Sequence, residues 1–100
     1  MQQEKNFGFE IFEFTNHALI RTGERGITIA EIKNSIEYGE QIAAYPNDKP
    51  YPSFLNLHFL NEEPIHVCFA ITETNSCRVI TVYKPDLSIF EDDFKTKRKL

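Results

Sequence analysis

After Gly39 the apolar residues of this chain stop recurring at helical spacing and begin to alternate, and that change of period decides what it can fold into. In SFLNLHFL, Leu55, Leu57 and Phe59 fall on one side and Asn56 and His58 on the other. PIHVCFAIT sets Ile65, Val67, Phe69 and Ile71 against His66, Cys68 and Ala70. EQIAAYP before them and CRVITVYKP after them read as strands stopped by Pro46 and Pro85. The stretches between, NDKPYP, NEEP and TNS, are built from turn formers. Four strands joined in this way make an antiparallel meander.

The segment ahead of Gly39 is helical. Thr15 offers an N-cap, with Phe14 and Leu19 placed as a hydrophobic staple, and Gly23 and Gly26 close the helix after two or three turns. Thr28 and Glu31 form a capping box for a second helix, and Ile27 with Ile32 a staple. Its buried stripe is expected from Ile29, Ile32 and Ile36, and its end from a left-handed Gly39. At the start, FGFEIFEF alternates Phe7, Phe9 and Ile11 against Gly8 and Glu10. It reads as an extra strand or an extended lead-in, although Phe12 and Phe14 break the phase. Helices grouped before an antiparallel run give an α+β domain, two short helices packed on a four-stranded meander sheet. The 100 residues read as a single domain, with a core over about 7–90 and a charged tail over 91–100; nine Phe among 41% hydrophobic residues supply its core.

A net charge of −4 argues against a protein that coats nucleic acid nonspecifically, while leaving room for a local cationic pocket. KTKRK follows the acidic EDDF, and reads as a solvated end or as a tail that reaches phosphates. No apolar run approaches the roughly 20 residues of a membrane span, and MQQEKNFGFE lacks a secretory pattern, so a cytoplasmic protein is expected. Cys68 and Cys77 fit no metal spacing and read as small buried or half-buried thiols. Three scattered histidines make no metal box, so neither a metal nor a cofactor is expected.

Two groups of residues carry chemistry. If the last hairpin turns around Thr74 and Asn75, His66 lies opposite Tyr83, Cys68 opposite Thr81 and Phe69 opposite Ile80. The same reasoning for the preceding hairpin sets His58 near His66. One sheet face then gathers His58, His66, Thr81 and Tyr83, unless these residues simply face water. In the first helix His17, Arg21 and Arg25 recur every four residues, within roughly 80° of arc, provided the helix survives Gly23. Guanidinium groups grip phosphate through paired hydrogen bonds, and an imidazole beside them is placed to take a proton. The plain alternative has His17 packed on the sheet and the arginines paired with Glu13, Glu24 or Glu31.

TNHALIRTGERGIT, IEYGEQIAAYPNDKPYPSFL, PIHVCFAIT and VITVYKP, taken in order, resemble a family of short bacterial proteins of formerly unknown function. The resemblance runs from about Phe12 to the tail, on His17-Ala18 with Arg21, Arg25-Gly26-Ile27, Gly39, Pro46, His66 and Thr81–Tyr83. Members are often encoded beside zinc-finger antitoxins of the YgiT or MqsA kind and are similar to MqsR and RelE-like toxins, ribonucleases of the barnase–EndoU–colicin–RelE-like group. The resemblance implies helices on an antiparallel sheet and metal-independent cleavage of RNA by its own 2′-hydroxyl. It also implies a cognate antitoxin partner, of zinc-finger or helix-turn-helix type, and no membrane; the chain itself would be a monomer or small homo-oligomer. On that reading Arg21, and Arg25 with it, hold the phosphate, and His17 and His66 share acid and base work. Tyr83 and Thr81 position the substrate, with His58 beside them. The alternative is a non-catalytic module that binds RNA or protein.

Overall fold

The computed structural model describes residues 9–99. Its elements are β1 (Phe12–Phe14), α1 (Asn16–Arg25), α2 (Ile29–Tyr38), β2 (Glu40–Tyr45), β3 (Ser53–Leu60), β4 (Glu63–Ile71) and β5 (Cys77–Tyr83). The sheet has five strands in the order β1-β5-β4-β3-β2. Strands β2 to β5 are the antiparallel meander, and β1 adds to it in parallel alongside β5. The architecture is therefore α+β with a mixed sheet. Phe7 and Gly8 of the expected lead-in lie outside the described residues. The strand itself begins where the alternation broke, and Phe12 and Phe14 pack against the same core.

Local signals explain the helices. The Thr15 hydroxyl accepts a hydrogen bond from the Ala18 N–H at 3.0 Å and donates to the Ile80 carbonyl at 2.9 Å, so one side chain caps α1 and ties it to β5. α1 passes through Gly23 and ends at Gly26, whose φ of 67° suits glycine. In α2 the Thr28–Glu31 capping box closes in both directions. Gly39 departs from expectation: its φ is −72°, extended rather than left-handed. Space demands glycine there, because an added Cβ would overlap the Ser35 carbonyl and lie 2.9 Å from that of Leu57. Gly39→Ala should therefore cost about 1–3 kcal/mol, read as a lowered denaturation midpoint.

Both helices cover one face of the sheet. Ala18, Ile32 and Ile36 meet Ile65, Val67, Phe69, Cys77, Val79 and Val82 in a continuous buried cluster. Burial of each larger side chain there contributes on the order of 1.5–3 kcal/mol. Ile29, expected in the stripe, is 48% exposed, and Ser35 is the residue buried beside Ile32 and Ile36. Ser35 fits because its hydroxyl donates to the Glu31 carbonyl, 2.9 Å away. Asn56 fastens the end of α2 to β3, its amide donating to the carbonyls of Ser35 and Ile36 at 3.1 Å each.

Register corrects one expectation about the site. Asn61 and Glu62, with φ of 50° and 72°, make a two-residue turn closed by the Leu60–Glu63 pair. His58 then pairs with Ile65, and Leu57 with His66. A slip of one residue reverses the side to which a side chain points, so His58 lies on the helix-covered face, away from His66. In the last hairpin His66–Tyr83 and Cys68–Thr81 pair as expected. A register shift between Cys68 and Phe69 then brings Val79, not Ile80, opposite Phe69. That bulge lets Val79 and Val82 share the core face.

The opposite face is covered by the chain after β5. Phe90 is buried and bridges to Lys97, and the Phe94 ring meets that of Phe59 edge-on at 6.1 Å. Asp93 pins the turn between them, accepting from the backbone N–H groups of Lys95 and Thr96 and from the Thr96 hydroxyl. Lys95 reaches Glu40 of β2 at 3.0 Å. The tail over 91–99 keeps its charged side chains exposed, while Phe94 within it and Phe90 just before it lay the segment across the sheet as a strap.

Candidate functional site

α1 presents the row that its spacing implied. Ala18 and Thr22 are buried against the sheet, whereas His17 and Arg25 are exposed and Arg21 is partly so. The plain account of these residues fails at two of its three points. His17 does not pack on the sheet, and the side chain of Arg25 has no ion-pair or hydrogen-bond partner among the described residues. Only Arg21 is engaged, with Glu24 at 3.3 Å on the surface, a pairing worth well under 1 kcal/mol. Glu13 is taken by Arg78 at 3.0 Å, and Glu31 by the capping box. Arg25 borders a cavity of about 330 Å³, also lined by Glu31, Asn61, Glu63, Ile65 and Lys84.

His66 is in a different situation. It is fully buried, and both ring nitrogens are in use. Nε2 lies 2.7 Å from the Phe94 carbonyl, which can only accept, so Nε2 carries the proton. Nδ1, 3.1 Å from the Tyr83 hydroxyl, is then the acceptor of that O–H. Phe90 stacks edge-on against the ring, with centroids 4.8 Å apart. Burial pushes the imidazole below its ordinary value, opposed by the Phe94 carbonyl, and pushes the Tyr83 phenol up. The result is a neutral histidine joining β5 to the strap. Thr81 and Tyr83 are half-buried on the same face.

The expected site therefore divides. His17, Arg21 and Arg25 belong to the helix layer, and His66, Thr81 and Tyr83 to the face beneath the strap, with the sheet between them. His58 belongs to neither group. Helical spacing could not reveal on which side of the sheet the helices settle. Asn61 and Lys84 went unnoticed in the sequence. Lys84 follows Tyr83 in a strand that alternates, which places it on the helix side and was the available signal.

The model of a family described as a domain of unknown function, DUF4258, matches residues 14–84. The chain belongs to the DUF4258 family. No curated protein and no solved structure matches it. The matched part of this DUF4258 domain holds α1, α2 and strands β2 to β5, and stops before the strap. No helix among the described residues is long and apolar enough to cross a membrane.

The state of His66 sets a pH dependence for the DUF4258 domain. Burial lowers its pKa in the fold below the ordinary 6.5, and lowers that of His58 likewise. Protons thus bind the unfolded chain first, so these groups favour the fold fully above about pH 6.5 and lose that contribution as pH falls through the lowered values. Denaturation midpoints measured between pH 7.5 and 5 should decline, and His66→Gln should flatten the decline.

Proposed function

We propose that this domain is an endoribonuclease toxin whose RNA-contacting surface is the exposed row of α1. The observation that carries the reading is Arg25, a guanidinium with no carboxylate partner among the described residues, in one continuous helical row with Arg21 and His17. In the reaction this chemistry suits, the 2′-hydroxyl attacks the adjacent phosphorus and His17 takes its proton. Arg21 and Arg25 hold the charge that gathers on the non-bridging oxygens. The 5′ oxygen leaves with a proton returned by the imidazole. His66 and Tyr83 are assigned to the architecture of the strap rather than to this chemistry. The resemblance to MqsR and RelE-like toxins supports the toxin role and a cognate antitoxin that covers the row, in a cytoplasmic setting.

The test is cleavage of single-stranded RNA by purified protein, read as fragments ending in 2′,3′-cyclic phosphate. Arg21→Ala and Arg25→Ala should each slow cleavage about 10- to 100-fold, with the larger effect at Arg25, whose charge is unpaired. Rates unchanged in both variants would remove the row from the mechanism. A second reading, a non-catalytic RNA- or protein-binding module, is favoured by the engagement of His66, which leaves His17 as the imidazole of the α1 row. It requires RNA binding that depends on Arg21 and Arg25 with no cyclic-phosphate ends at any protein concentration.

A further inference from the structure

The cavity beside Arg25 is the feature that the proposed chemistry leaves unused. Its lining includes the apolar side chains of Ile27, Leu60 and Ile65. Its rim is polar and largely settled: Lys84 and Glu63 are paired at 2.6 Å, and Glu31 is held by the Thr28 N–H at 2.9 Å. Two side chains of the rim are unspent among the described residues, the Arg25 guanidinium and the Asn61 amide. At about 330 Å³ the space stands at the low end of small-molecule sites, of the order that one nucleotide fills.

We infer that this cavity receives one nucleobase of a single-stranded RNA, with Arg25 on its phosphate at the mouth and Asn61 reading the edge of the base. The inference rests on the reading of the α1 row as an RNA-contacting surface. A base turned out of its stack has apolar faces and a polar edge, which matches a lining that combines apolar side chains with donors and acceptors. An amide presents both a donor and an acceptor and can pair in two places with such an edge. The row also leads there: its members repeat every ~6 Å along the helix axis, close to the step between neighbouring phosphates of an extended strand. Arg25 is its last member and the one that borders the cavity. Asn61 has a second duty in the turn, with φ of 50°, so its amide must be tested apart from its backbone.

Asn61→Gly makes that separation, because glycine accepts the left-handed conformation and removes only the amide. The four ribonucleoside monophosphates are titrated into the full chain, with backbone amide shifts followed at Gly26, Asn61 and Lys84. The expected result is saturable binding at those positions with one base preferred. Asn61→Gly should weaken the preferred nucleotide about tenfold, bringing it level with the others, without lowering the melting temperature. Arg25→Ala should weaken all four alike. Shifts at these amides with no cleavage of RNA would uphold the cavity and sink the ribonuclease. Cleavage of RNA with nucleotide shifts elsewhere, or an unchanged rank order in Asn61→Gly, would overturn the cavity and leave the ribonuclease standing.

Discussion

His17→Ala should reduce RNA cleavage by roughly 100- to 10,000-fold, the range of a lost acid–base group, while leaving the fold intact. The side chain is exposed and is not a member of the core cluster, so its removal should shift stability by no more than about 0.5 kcal/mol. The contrast between those two readouts is the informative part. Arg21 and Arg25 remain in His17→Ala, so RNA affinity should fall far less than the rate. A variant that cleaves at the normal rate would exclude His17 from the chemistry. With His66 enclosed beneath the strap, the half-buried His58 of β3 would be the imidazole left on the helix side of the sheet.

His66→Ala should do the reverse. Removing the ring deprives the Phe94 carbonyl and the Tyr83 hydroxyl of their partners and opens a void against Phe90. Each orphaned buried group costs about 1–3 kcal/mol, and the void adds a further penalty. A total of about 3 kcal/mol would lower the melting temperature of a domain this size by roughly 12–24 °C. Residual activity per folded molecule should stay near normal, because the sheet separates His66 from α1. His66→Gln should recover part of the loss, since a carboxamide offers one donor and one acceptor. A His66→Ala protein that keeps its melting temperature but loses cleavage would assign this histidine to catalysis after all.

The contrast between the two histidines also shows how far the amino-acid order could be read. Alternation from Ser53 to Tyr83 defined the meander, and the Thr15 and Thr28 caps defined the helices, because those signals are local. The parallel docking of β1 is a contact between residues 65 positions apart in the chain, and nothing near Phe12 encodes it. The α1 row was legible as a row. Its separation from His66 was not, since helical spacing says nothing about which face of a sheet a helix will occupy. His58 was misplaced by one residue of register, set by the left-handed backbone at Asn61 and Glu62. Phe90 falls within the expected core, whereas the Phe94 anchor was not legible, because the charges around it make the run look solvated.

The Thr15 hydroxyl and N–H both reach β5, to the carbonyls of Ile80 and Val79. α1 rests mainly on β5, whose Ile80 lies 65 positions after Thr15 in the chain. A nascent chain would therefore carry His17, Arg21 and Arg25 early but lack their support until residues near Ile80 had emerged. The α1 surface is translated well before the strand that supports it. Any activity that depends on its geometry must wait until β5 has been made.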